Sequence, residues 1–285
     1  MASGMKCRFF HLVVLAGCIA LFSGCGKKER EDAVTDNGTV TLPAFPEGTP
    51  TFDWQAFLRV YGPAFDQAAQ KGELPRLAKA WGEANRAADP RFLEIALARA
   101  ERDWERSGRE AEAYLQNRRD DLLATEVMER YAAEKRETDF SRLGHAYGKE
   151  HPEQLIAFSE IALHAGWPPM TRSFAAEALA ASPTYAIGYR ALQLLEACGE
   201  RDAVIEALPL VEAKAEKRYQ REDLTLMRCR IAIRQNRIGE AERARLRTLA
   251  ESAMMPDVRR EAAELLKQRE REIGNREEGR VSSDH

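Results

Sequence analysis

Few side chains in this chain are spaced for chemistry. His145, His151 and His164 are six and thirteen residues apart, so no two of them share a helical face in the manner of an HExxH pair. A metal site would need ligands gathered from separate elements, and none is expected. Ser159, Glu160 and His164 lie close in sequence, but no GxSxG elbow frames them and they read as helix decoration. No GxGxxG turn or lysine-ended phosphate loop occurs, so nothing points to a bound nucleotide or to any cofactor.

Arginine is the exception. From Arg218 to Arg247 there are nine arginines against four acidic residues, a local balance of +5 in a chain whose net charge is −3. Arg190, Arg228 and Arg234 are the candidate partner-binding residues. Guanidinium groups pair bidentately with carboxylate or phosphate, which suits an acidic protein segment or anionic lipid headgroups. The same pattern also arises when arginine stems cover thin helix packing and leave their heads in water. Both readings stay open on sequence alone.

The elements that would position these residues are helical. Alanine, glutamate, arginine and leucine dominate a chain of 285 residues, and 31 % of it is charged; all four are strong helix formers. Asp53 is placed to cap a first helix in which Trp54, Phe57, Leu58, Tyr61, Phe65 and Ala68 recur at three and four. Gly62-Pro63 is expected to kink or split it. Leu74, Leu77, Ala78, Trp81 and Ala84 form a second stripe. Asp89-Pro90 opens a third, with Leu93, Leu97, Ala100 and Trp104 facing in. Gly108 reads as the next break, followed by one pattern from Arg109 to Arg136. Thr138-Asp139 caps a short helix ending near Gly148, and another runs from His151-Pro152 to about Ala165. Gly166-Trp167-Pro168-Pro169 is a turn, Thr171 to Ala181 is helical, and no convincing strand appears. Helix starts at Pro152, Pro183 and about Glu222 fall at intervals suited to a two-helix repeat.

The first 24 residues are an address. Lys6 and Arg8 precede an apolar run from Phe9 to Phe22, broken only by His11. That layout belongs to a secretory signal, and it is short for a spanning helix, which needs about 20 apolar residues. The run ends in Leu21-Phe22-Ser23-Gly24-Cys25 and resembles a bacterial lipoprotein signal, in which a lipid-modified cysteine becomes residue one. Leu15-Ala16-Gly17-Cys18 is an upstream alternative, but cleavage there leaves Ile19 to Phe22 as an apolar mature start. Cys25 is therefore the expected lipidation site, and removal of residues 1–24 leaves a net charge of −5. Residues 25–50 carry charges, then Thr, Gly and Pro, and read as a disordered tether.

Between Pro183 and Ser252 the chain overlays on itself with a shift of 38 residues. Ile187 meets Thr225, Ala191 meets Cys229, Leu194 and Leu195 meet Ala232 and Ile233, and Ala203 meets Ala241. The twelve-residue step from Ala191 to Ala203, repeated from Cys229 to Ala241, resembles the tetratricopeptide repeat, where small residues let two antiparallel helices close. In this register Cys198 falls seven residues, about 10 Å of helix, beyond Cys229. A disulfide needs Cα atoms closer than about 7 Å, so two free thiols are expected.

The expected fold is therefore all-α, an α-solenoid of stacked antiparallel hairpins. It comprises an irregular helical region over 51–150, repeats over 151–273 and a disordered tail over 274–285. The resemblances imply a lipid-anchored, non-enzymatic adaptor in the bacterial cell envelope. It would face the periplasm, touch the membrane through its anchor, and bind an envelope protein or peptide through its helical surface. Gly26 after the cysteine leans toward the outer membrane by the same resemblance. Nucleic acid is excluded outside the cytoplasm. The alternatives are a cell-wall hydrolase on a helical scaffold, for which no acid–base pair is evident, and a purely structural spacer.

Overall fold

The computed structural model describes residues 54–84, 90–181 and 184–281. The signal, Cys25, the tether to residue 50, Asp53, Asp89 and Ser182-Pro183 lie outside the described residues. Within them the chain is all-helical, with thirteen helices and no strand. They are α1 (Trp54–Lys71), α2 (Leu74–Ala84), α3 (Pro90–Ala100), α4 (Trp104–Leu115), α5 (Asp121–Ala133), α6 (Glu137–Glu150) and α7 (Gln154–His164). They continue as α8 (Pro168–Ala180), α9 (Tyr185–Ala197), α10 (Arg201–Glu212), α11 (Arg218–Arg234), α12 (Glu240–Ser252) and α13 (Pro256–Val281). Each helix packs on the next, and several also touch the next but one, including α5 on α7, α7 on α9 and α11 on α13. The starts of α7, α9, α11 and α13 lie 31, 33 and 38 residues apart. No helix among the described residues is long and apolar enough to cross a membrane.

The core falls into three apolar clusters in chain order. The first runs from Trp54 to Ala178, the second from Ala175 to Ile231 and the third from Leu226 to Ala262. Two helices serve two clusters each. On α8, Met170, Phe174 and Ala178 face the first, while Ala175 and Leu179 face the second. On α11, Leu224, Met227 and Ile231 face the second, while Leu226, Cys229 and Ile233 face the third. Both stripes of α11 follow the i, i+3, i+7 spacing of a helix face. They are offset by two residues, roughly 200° at 3.6 residues per turn, so α11 is a wall between two cores.

Several boundaries differ from the sequence reading, each for a local reason. Pro63 neither splits nor ends α1. It lies on the exposed side, opposite the buried Trp54, Phe57, Tyr61, Phe65 and Ala68, so the carbonyl it leaves unpaired can turn to water. The break expected at Gly108 comes earlier. Arg102 adopts φ 61°, Asp103 accepts from the Arg106 amide at 3.0 Å, and Trp104 begins a new helix at the surface, 36 % exposed. Gly108 instead lies buried in α4 beneath Tyr131. The pattern from Arg109 to Arg136 is two helices, separated at 116–120, and Leu122 on α5 is exposed. Gly148 does not end α6 either. Gly144 and Gly148 are where α6 closes on its neighbours, because a methyl at either would overlap Phe174 or Leu155. α11 begins at Arg218, four residues before the expected Glu222. Finally, α13 continues through Gly274 to Val281, so the start of the expected disordered tail is helical. The Arg- and Glu-rich sequence there favours helix, and one glycine costs only about 1 kcal/mol.

A buried carboxylate ties the N-terminal helices together. Asp120 caps α5 by accepting from the Leu123 amide at 2.9 Å, and its other oxygen accepts from the first amide of α1, Trp54, at 2.7 Å. Tyr147 Oη on α6 accepts from the Asp120 amide at 3.1 Å and donates to Asp121 at 2.8 Å. One side chain thus satisfies the ends of two helices that lie 66 residues apart. Asp120→Ala is expected to lower stability by about 2–3 kcal/mol, since it removes a cap and leaves a buried amide unpaired. Asp120→Asn, which keeps one acceptor, should lose less. Urea unfolding followed by circular dichroism checks both; an alanine variant within about 0.5 kcal/mol of the parent contradicts the assignment.

Candidate interaction surface

The residues singled out for partner binding are all held in cross-helix ion pairs. Arg190 Nε on α9 meets Glu160 on α7 at 2.6 Å. Arg228 on α11 meets Glu212 on α10 at 2.8 Å. Arg234, near the end of α11, meets Glu196 on α9 at 2.8 Å. Arg190 and Arg228, aligned by the 38-residue shift, therefore turn to different neighbours: one reaches back two helices, the other only one.

The strongest of these contacts falls on a residue that the repeat alignment hides. Arg230 donates to both oxygens of Glu196, from Nε at 2.8 Å and Nη2 at 2.5 Å, and its Nη1 reaches Glu261 on α13 at 2.7 Å. One guanidinium therefore bridges α9, α11 and α13. Burial works against its charge, but the two carboxylates outweigh it and raise the Arg230 pKa above the usual arginine value. Shifted by 38, Arg230 corresponds to Leu192, a core residue, so nothing in the repeat frame marks it.

Beside this bridge lies an aromatic and acidic group. The rings of Tyr185 and Tyr189 stack at 5.6 Å, and Tyr185 Oη lies 3.2 Å from the Gln220 carbonyl and 3.4 Å from Asp223. Burial, with Glu222 and Glu261 nearby, raises the Asp223 pKa, although the Tyr185 contact opposes the shift. Burial also raises the Tyr185 phenol, helped by the Asp223 charge. The surface spanning α9, α11 and α13 is thus polar and largely internally compensated.

Long-range hydrogen bonds in this half keep one interval. Arg190 to Glu160 spans 30 residues, Arg230 to Glu196 spans 34, Arg230 to Glu261 spans 31 and Tyr185 to Gln220 spans 35. Arg201 to the Arg234 carbonyl and Gln235 to Asp202 each span 33. Each joins a residue to its counterpart region about two helices away.

A cavity of about 390 Å³ opens among α1, α3, α4 and α5. Its polar lining is already committed. Glu126 accepts from Trp54 Nε1 at 2.9 Å and Arg99 at 2.8 Å, and the Arg130 guanidinium lies 3.7 Å from the Trp104 ring centre. Carboxylates and guanidiniums balance within it.

The histidines do not converge. His145 pairs with Glu177 at 2.9 Å, His164 turns back to its own helix at the Glu160 carbonyl, and His151 packs on Tyr147. Ser159 is fully buried and donates to the Thr171 carbonyl at 2.9 Å, so it is an interior residue and not the surface decoration its sequence suggested. Among the described residues no group of three or more His, Cys, Asp or Glu side chains could hold a metal. Cys198 and Cys229 are free thiols. Burial pushes the Cys229 thiol up to about 11, which suppresses its thiolate. Comparison of the chain with protein-family models, curated proteins and solved structures finds no match.

Removing one partner of a buried pair costs far more than removing one from a solvated pair. The Glu196 side chain is 7 % exposed and Arg230 is 21 % exposed, whereas Arg190 is 48 % exposed. Glu196→Ala should therefore destabilise by about 2 kcal/mol, with Glu261 left to compensate in part. Arg190→Ala should cost no more than about 1 kcal/mol. Denaturant midpoints of the two variants test the ranking, and equal losses would refute it.

Proposed function

We propose that this protein is a lipid-anchored adaptor of the bacterial cell envelope. It is held at the membrane through Cys25, faces the periplasm, and binds another envelope protein through a surface of stacked, tetratricopeptide-like helical hairpins. The observation that carries the repeat reading is the shared interval of the cross-helix hydrogen bonds, 30 to 35 residues across α7 to α13. Such a period is that of a two-helix unit contacting its neighbours in order. The anchor rests on the sequence around Cys25, with its basic start, apolar run and small residues before the thiol. Two or more acyl chains on one thiol-bearing residue retain a protein stably where a single chain does not. By the residue after the cysteine, the outer membrane is the preferred destination.

The test is made in bacterial cells expressing the full chain. Metabolic labelling with a clickable fatty acid should mark the parent protein, and Cys25→Ala should abolish the label and release the protein from the membrane fraction. A photo-cross-linking residue placed at Arg190 or Arg234, on the exposed side of the ion-pair network, should trap one discrete envelope protein. Retention of label and membrane association by Cys25→Ala refutes the anchor. A cross-linking pattern without any discrete adduct refutes the adaptor role and favours a structural spacer.

A further inference from the structure

The α11–α12 hairpin carries an open groove of about 600 Å³ that the ion-pair network leaves alone. Arg218 at the start of α11 donates to the Ser252 carbonyl at the end of α12 at 2.7 Å, so the two helices run antiparallel along it. Arg218, Arg221 and Arg245 line the groove with a single carboxylate, Glu222, and Leu249 supplies buried apolar surface.

That carboxylate is already engaged. Glu222 accepts from Arg218 Nε at 2.7 Å and from the Met254 amide at 2.8 Å. Arg221 donates to the Glu216 carbonyl at 2.8 Å and meets no carboxylate, and Arg245 reaches only Glu242, at 3.5 Å. Two exposed guanidiniums therefore keep donors to offer in a chain whose overall charge is negative. The hydroxyls of Thr225, Thr248 and Ser252 donate to their own helices, so recognition of an anion there falls to the arginines. Just past Ser252, Met254 and Met255 are 53 % and 47 % exposed, an apolar contact at the groove's end.

The register of the hairpin sets the spacing. With Arg218 opposite Ser252, Arg221 stands opposite Leu249, and Arg245 lies one turn further along on the facing wall. Four residues of helix rise about 6 Å, close to the step of about 6.6 Å between alternate residues of an extended strand. A single phosphate would engage one arginine and leave the other, whereas carboxylates on alternate residues of an extended segment reach both.

We infer that this groove binds an extended acidic segment of a partner protein, with alternate carboxylates on Arg221 and Arg245 and an apolar side chain against Met254. This rests on the partner-binding reading above, and it gives that partner a chemistry.

The assay uses the full lipidated chain in non-ionic detergent. The probe is a fluorescein-labelled peptide of alternating glutamates with one leucine, read by anisotropy beside its lysine counterpart. The acidic peptide should bind saturably and the lysine peptide should not. Arg221→Glu with Arg245→Glu should weaken binding by more than about tenfold, with the thermal melt unchanged. If charge reversal disturbs folding, Arg221→Ala with Arg245→Ala gives the same direction with a smaller loss. Equal binding by parent and variant overturns the inference. So does competition by inorganic phosphate as strong as by the peptide, preferential binding to phosphatidylglycerol vesicles, or loss of self-association in place of peptide binding. Because this assay depends on neither anchor nor location, peptide binding without a cellular cross-link would sink the adaptor reading alone. A cross-linked partner without peptide binding would sink the groove alone.

Discussion

The arrangement depends on α11 being buried on opposite faces. Leu224, Met227 and Ile231 close one core, Leu226, Cys229 and Ile233 close the next, and neither core is complete without this helix. Its sequence between those stripes is arginine, glutamate, aspartate and threonine, which by itself is a poor candidate for a central element. The charged residues occupy what remains of its circumference. There Arg228, Arg230 and Arg234 reach α10, α9 and α13. Apolar contact thus fixes the order of the helices, and the guanidiniums fix their registration across the gaps between alternate helices.

This division of labour explains why the arginine-rich stretch is only in part a surface. An excess of +5 between Arg218 and Arg247 looks like an invitation to an acidic partner. Most of that charge meets acids from elsewhere in the chain, among them Glu196, Glu212 and Glu261, which lie outside the stretch. Local charge counting cannot see them. What survives as available positive charge is narrower and lies on the hairpin groove, away from the three arginines that the repeat alignment favoured.

The helical class and the spacing of its later units were legible because apolar residues recur at three and four over short segments ended by glycine or proline. Helix ends were the less legible part. Arg102, Lys135 and Asn236 take the left-handed conformation that terminates α3, α5 and α11, where glycine would have announced the turn. Conversely, Gly108, Gly144 and Gly148 looked like stops and serve as close contacts inside helices. Asp120 could have been read as a cap for α5, but its second bond, to Trp54, is set by tertiary packing alone. The bridging pair of Arg230 with Glu196 was invisible for the same reason, since its two ends lie 34 residues apart with no motif joining them.

If the cores follow one another along the chain, damage at one end should travel only as far as the next shared wall. Hydrogen exchange read by mass spectrometry on a chain ending at Gly239, which lacks α12 and α13, measures this directly. Loss of the third core should strip protection from α11 and weaken it in α9 and α10, while α5 to α8 exchange as slowly as in the full chain. Uniform loss of protection from α1 onward would mean a single indivisible core, and unchanged protection of α11 would mean that its second buried face contributes nothing; either result contradicts the account.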